Sequence, residues 1–175
     1  RRLGIGMGIL LLLSIPLIAM QFTDEVNWQI GDFLIMGLAL SFFAFLFEFL
    51  ASRSDKLVYR AALGIGLLGA FLLFWVNGAV GIIGNEGNPA NLLYLSVFII
   101  GLIGGLLSRF KAKGMSITLF LAAIVQCLIP LLALLIWGQG EFSGSAGLFG
   151  AFILSSFFAT PFLLSAWLFR KSANT

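Results

Sequence analysis

Histidine is absent from these 175 residues, cysteine occurs once, and only 10% of the side chains carry charge. Without histidine there is no imidazole to serve as a general base near neutral pH, to ligate haem or to hold a metal ion. A lone Cys127 forms no internal disulfide. Soluble domains carry about 25% charged residues, so this shortage removes the usual means of keeping a folded surface in water. No paired carboxylates at helical spacing, no base beside Cys127, no metal-ligand cluster and no phosphate-binding Gly-Lys loop can be read from the sequence. The expectation is no catalytic residue, no cofactor and no metal.

What is present is apolar: 61% of the residues are hydrophobic. Leu3 to Thr23, Ala61 to Asn85, Gly87 to Ser108, Gly114 to Gly140 and Phe142 to Phe169 contain no Asp, Glu, Lys or Arg, and Phe33 to Ser52 is broken only by Glu48. A helix crosses the hydrocarbon core of a bilayer with about 20 apolar residues, and all six runs reach that length. The first is too long and too proline-interrupted for a cleaved signal. The sequence therefore predicts an all-α polytopic bundle, one domain over residues 1–175, with six transmembrane helices near 3–21, 30–52, 61–83, 89–108, 116–137 and 146–169. Short connections predict antiparallel neighbours in chain order.

The few charges are sorted by side. Arg1 and Arg2 precede the first helix; Arg53, Lys56 and Arg60 lie between the second and third. Arg109, Lys111 and Lys113 lie between the fourth and fifth, and Arg170 and Lys171 follow the sixth. In a six-helix chain all ten bases fall on one side, whereas Asp24, Glu25, Glu86 and Glu141 occupy the other loops. Bases accumulate in cytoplasmic loops, so both termini are expected in the cytoplasm. The positive net charge of +3 is then a topology signal, and no nucleic-acid partner is expected. The expected partners are the lipid bilayer and either further copies of the chain or a larger membrane complex.

Asn88-Pro89-Ala90 is the tripeptide that lines the pore of water channels, where it occurs twice, in two half-helices. One copy beside a polar loop reads instead as a helix start: Asn88 caps, and Pro89 occupies the first turn, where its missing N–H costs nothing. The segment FWVNGAVGIIGNEGNPANLLY (74–94), continuing through SRFKAKGM (108–115), resembles a family of small, uncharacterised bacterial multi-spanning proteins. That resemblance implies a bacterial inner-membrane protein and brings no activity or ligand with it.

Polar groups inside the apolar runs are the candidate functional residues. Glu48 lies about one turn inside the end of the second helix, and a charge in hydrocarbon must snorkel, pair or face a wet interior. It is either an ion-pair partner of a base such as Arg53, Arg60 or Arg109, or a carboxylate that binds a proton or cation. Asp32, at the start of the same helix, complements the helix dipole. Asn77, Gln126, Ser155, Ser156 and Thr160 are either interhelical glue or the lining of a polar route towards Glu48. Gly4 and Gly8, and Gly101 and Gly105, have the G-x-x-x-G spacing of close helix packing, and Gly64, Gly66 and Gly69 give the third helix a small face. Pro16, Pro130 and Pro161 interrupt the first, fifth and sixth helices. Phe42, Phe45 and Phe49 form a stripe facing lipid or a partner. Two functions follow: a non-enzymatic structural or accessory component of a membrane assembly, or a small oligomeric transporter or channel using Glu48, Gln126 and Asn77.

Overall fold

The computed structural model describes residues 2–23, 27–142 and 147–174. Arg1, Asp24, Glu25 and Ala146 of the sequence reading lie outside the described residues. The chain is 84% helical, and no strand occurs among the described residues. The six helices are α1 (Arg2–Ala19), α2 (Ile30–Ala51), α3 (Leu57–Ala79), α4 (Leu95–Leu107), α5 (Ala112–Trp137) and α6 (Gly147–Asn174). Short 3₁₀ segments at Pro89–Tyr94 and Gln139–Phe142 precede α4 and α6. Among the described residues five stretches are long and apolar enough to cross a membrane: α2, α3, Pro89–Leu107, α5 and α6. The apolar part of α1, Gly4–Ala19, is shorter. The chain is thus a multi-pass membrane protein by length and composition. Hydrocarbon offers backbone groups no partners, so a helix, which satisfies its own, is the form such segments take.

Contacts divide the chain into two compact units, residues 1–49 and 50–175. The first holds α1 and most of α2. Its side chains are largely exposed: Leu10, Leu38 and Phe45 each show more than 60% of their surface. Asp32 does more than complement a dipole, because its carboxylate accepts the Gln29 N–H at 2.7 Å and closes the first turn of α2. The Phe stripe of α2 is exposed, with Phe45 and Phe49 stacked at 6.1 Å.

In the second unit α6 packs against both α3 and α5, and α5 packs against α4. The main partner of α3 is therefore α6, and not its chain neighbour α4. The reason is shape. A Cβ at Gly66 would stand 2.8 Å from Ser165 Oγ, and one at Gly69 would stand 2.6 Å from Pro161 Cβ. The two glycines open a notch in α3 that α6 fills with its proline ring and a serine. Ser165 then donates to the Ala62 carbonyl across the seam at 2.6 Å. Ser116 joins α5 to α6 in the same way, donating to the Ala166 carbonyl at 2.8 Å.

One end of this unit gathers its bases. Lys56 donates to the Ser172 carbonyl at 3.2 Å, Arg60 pairs with Asp55 at 3.0 Å, and the Arg53 guanidinium lies 5.3 Å from the Phe110 ring centre. Tyr59 donates to the Phe110 carbonyl at 2.7 Å, tying α3 to the α4–α5 turn. That turn is a Schellman motif: Phe110 N–H bonds the Gly105 carbonyl and Arg109 N–H the Leu106 carbonyl. Arg109 and Phe110 both adopt positive φ, 51° and 56°, where glycine is usual. The Phe110 ring folds back onto Gly105, where a Cβ would stand 2.7 Å from it.

Candidate functional site

The opposite end of the second unit carries the most developed polar structure in the molecule. α3 stops at Ala79, four residues before the expected end, because Gly81 turns the chain at a φ of +77°. A second reversal at Gly84, φ +68°, completes the loop. Ile82 and Ile83 are thereby turned inward and buried, which leaves their amides in need of partners.

Asn91 supplies them. Its Oδ1 accepts from Ile82 N–H at 3.1 Å and Ile83 N–H at 2.9 Å. Its Nδ2 donates to the Ile83 carbonyl at 3.0 Å and the Asn85 carbonyl at 2.7 Å. A primary amide offers two acceptor and two donor positions, so Asn91 is saturated. Asn88 caps as the sequence predicts, accepting from Ala90 N–H at 2.9 Å, with Pro89 in the first turn. Its amide nitrogen also donates to the Glu141 carbonyl at 2.9 Å, linking the two loops at this end. The turn that follows is 3₁₀ rather than α through Tyr94. Within it Asn91 N–H reaches Asn88 by the shorter i→i−3 bond, as is common where α-helices begin.

Beneath this loop lies a series of buried neutral groups. Asn77 donates to the Asn91 carbonyl at 3.1 Å, while its own Oδ1 is buried without a hydrogen-bond partner. Tyr94 and Ser155, both fully buried, share a hydrogen bond of 2.6 Å. Gln126, midway along α5, is 0% exposed, and neither its Oε1 nor its Nε2 has a partner. The buried polar side chains of the described residues are Asn91, Thr118, Gln126, Ser155, Ser165 and Ser172, none of them charged.

The remaining expected residues are placed elsewhere. Ser156 and Thr160 are exposed on α6, with Thr160 turned back to the Phe157 carbonyl at 2.7 Å. Successive helical residues are about 100° apart, so Ser155 points inward only if Ser156 and its i+4 neighbour do not. Gly4, Gly8 and Gly101 have nothing within 4 Å of where a Cβ would stand. The glycine that brings α4 onto α5 is Gly104, whose Cβ would collide with Thr118. Glu48 belongs to the first unit, half-buried beside a groove of about 700 Å³ between α1 and α2. Cys127 is a free, half-buried thiol, and among the described residues no three His, Cys, Asp or Glu side chains come together.

Asn91, Tyr94 and Ser165 are the residues that sequence reasoning passed over. Their signal was available: an amide, a phenol and a hydroxyl within apolar runs, each of which must find a partner when buried. Chemically the arrangement can bind neutral donors and acceptors and can hold a loop rigid. It presents no buried acid or base from the described residues. No protein-family model matches this chain, and neither does any curated protein or solved structure.

Proposed function

We propose that the chain is a non-enzymatic component of a membrane assembly, a packing or accessory subunit that crosses a bacterial inner membrane six times with both termini cytoplasmic. One observation carries the functional part. The buried polar side chains described in the second unit are all neutral, and three of the six, Asn91, Ser155 and Ser165, tie helices and loops to one another. Ion-coupled transporters place titratable side chains in the bundle interior, where they bind the ion or relay the proton. A bundle stitched by neutral bonds is suited to holding shape. The sorting of bases supports the topology, and the open faces at Gly4, Gly8 and Gly101 leave room for another copy or a partner helix.

The test is purification from native membranes in mild detergent, followed by reporter fusions after Glu25, Glu86 and Glu141. A stoichiometric partner and three external reporters are expected. A solitary monomer would remove the assembly role, and an internal reporter would remove the topology. A second reading, a small oligomeric transporter, rests on Gln126: an unpartnered amide at mid-bundle, with the bare Asn77 Oδ1 in the same unit, could line a route for a neutral polar solute. Solute flux into proteoliposomes that Gln126→Leu abolishes would favour it.

A further inference from the structure

Two bases of the second unit face each other across a helix seam. Ser116, near the start of α5, donates to the Ala166 carbonyl near the end of α6. The other ends of the two helices are joined by a short connection, so they run antiparallel. Lys113 is one turn from Ser116 and Arg170 one turn from Ala166, both towards the charged end of the unit. At about 100° per residue, Lys113 lies about 60° round α5 from Ser116 and Arg170 about 40° round α6 from Ala166, in the same rotational sense along each chain. In antiparallel helices equal senses lead to one surface, so the two bases flank the seam on the same side. By the same count Phe120 and Leu163, both exposed, continue that side away from the charged end.

Both bases are exposed, and neither side chain makes a hydrogen bond or ion pair with a described residue. The acids of the second unit are engaged or distant: Asp55 is held by Arg60 at 3.0 Å, and Glu86 and Glu141 belong to the loops at the opposite end. We propose that Lys113 and Arg170 hold the phosphate of one anionic phospholipid, with an acyl chain lying along Phe120 and Leu163. Charge complementarity selects the occupant. The guanidinium presents a fork of N–H donors that matches two phosphate oxygens, and the lysine ammonium adds a donor from the facing helix. A zwitterionic phospholipid carries the same phosphate but brings its own ammonium, which the two bases repel. The apolar strip beneath the bases favours a lipid over a free anion, which gains nothing from Phe120 or Leu163. Trp167, exposed on α6 and 5.7 Å from Lys171 Nζ, is the kind of ring found where hydrocarbon meets headgroups. The inference goes beyond both functional readings and requires only that the second unit span a bilayer, whichever way round.

The experiment places the full chain in vesicles of equal phosphatidylglycerol and phosphatidylcholine. After re-extraction into mild detergent, retained lipid is counted by mass spectrometry of the intact protein. The wild type should retain phosphatidylglycerol about tenfold over phosphatidylcholine, the ratio that one charge-assisted hydrogen bond provides. Lys113→Gln and Arg170→Gln should each lower that ratio about threefold, and the double variant should bring it to about one. Arg109→Gln with Lys111→Gln removes the same charge from the neighbouring exposed turn and should leave the ratio within about twofold of the wild type. Millimolar inorganic phosphate should not displace the lipid. Equal retention of the two lipids by the wild type overturns the proposal without recourse to any variant. So does a folded Lys113→Gln or Arg170→Gln protein that keeps the full preference. An equal loss from the Arg109 and Lys111 pair would assign the preference to the diffuse charge of the whole end, and displacement by phosphate would assign the site to a free anion; either result overturns it too.

Discussion

Replacing Gln126 with leucine should make this protein more stable. Gln126 is fully buried, and its amide oxygen and nitrogen have no hydrogen-bond partner. A buried polar group left unsatisfied costs about 1–3 kcal/mol, so the two together cost at least ~2 kcal/mol. Leucine has a similar volume and no polar atom, so Gln126→Leu removes that penalty without opening a cavity. In a chain of this size 1 kcal/mol moves the melting temperature by about 2–4 °C, which gives an expected rise of about 4–8 °C. The assay is thermal unfolding in mild detergent followed by the fluorescence of the four tryptophans. Gln126→Met, of comparable volume and also without an amide, should rise by a similar amount. A fall in melting temperature for both variants would refute the reasoning. It would mean that the amide is satisfied in the membrane, by water, by solute or by another chain.

Three further outcomes test the architecture. Asn91→Ala strips partners from the buried amides of Ile82 and Ile83, and should cost at least about 3 kcal/mol; in that background a thiol introduced by Ile83→Cys should become reactive towards a water-soluble maleimide, where it is shielded in the parent. Gly69→Leu should destabilise by ~3 kcal/mol in the same unfolding assay, because even a Cβ there would stand only 2.6 Å from Pro161 Cβ. A Cβ at Gly101 meets nothing within 4 Å, so the stability of Gly101→Leu should stay within ~0.5 kcal/mol of the parent, whereas the size of any oligomer in detergent should change if that face carries the contact.

Much of this architecture is legible in composition. Apolar runs of membrane-spanning length appear as helices, and Asn88 with Pro89 starts the fourth segment as their chemistry demands. The boundaries of α3 were not legible. Residues such as Ile82 and Ile83 read as a continuing apolar helix, and only the long-range claim of Asn91 on their amides shows why the helix stops sooner. The rotation of α6 was equally hidden. Ser155, Ser156 and Thr160 are alike in sequence, and which of them meets Tyr94 depends on where a partner 61 positions earlier is held. Gly105 illustrates a different limit. Its spacing from Gly101 suggests a helix–helix contact, yet the missing side chain makes room for Phe110, five residues on.

The seam between α3 and α6 bears on how the chain is made. Ser165 and Ala62, which meet across it, are 103 positions apart. Translation proceeds at about 5–20 residues per second, so α3 enters the bilayer roughly 5–20 s before the ribosome has finished the helix that fills its notch. Until then Ser165 and Pro161 are not there to fill the notch at Gly66 and Gly69. The sixth helix is therefore the one that locks the third in place, and a product that stops short of α6 carries an open notch that one including α6 does not. The arrival of α6 is written into the surface of α3, in a form that membrane quality control can read.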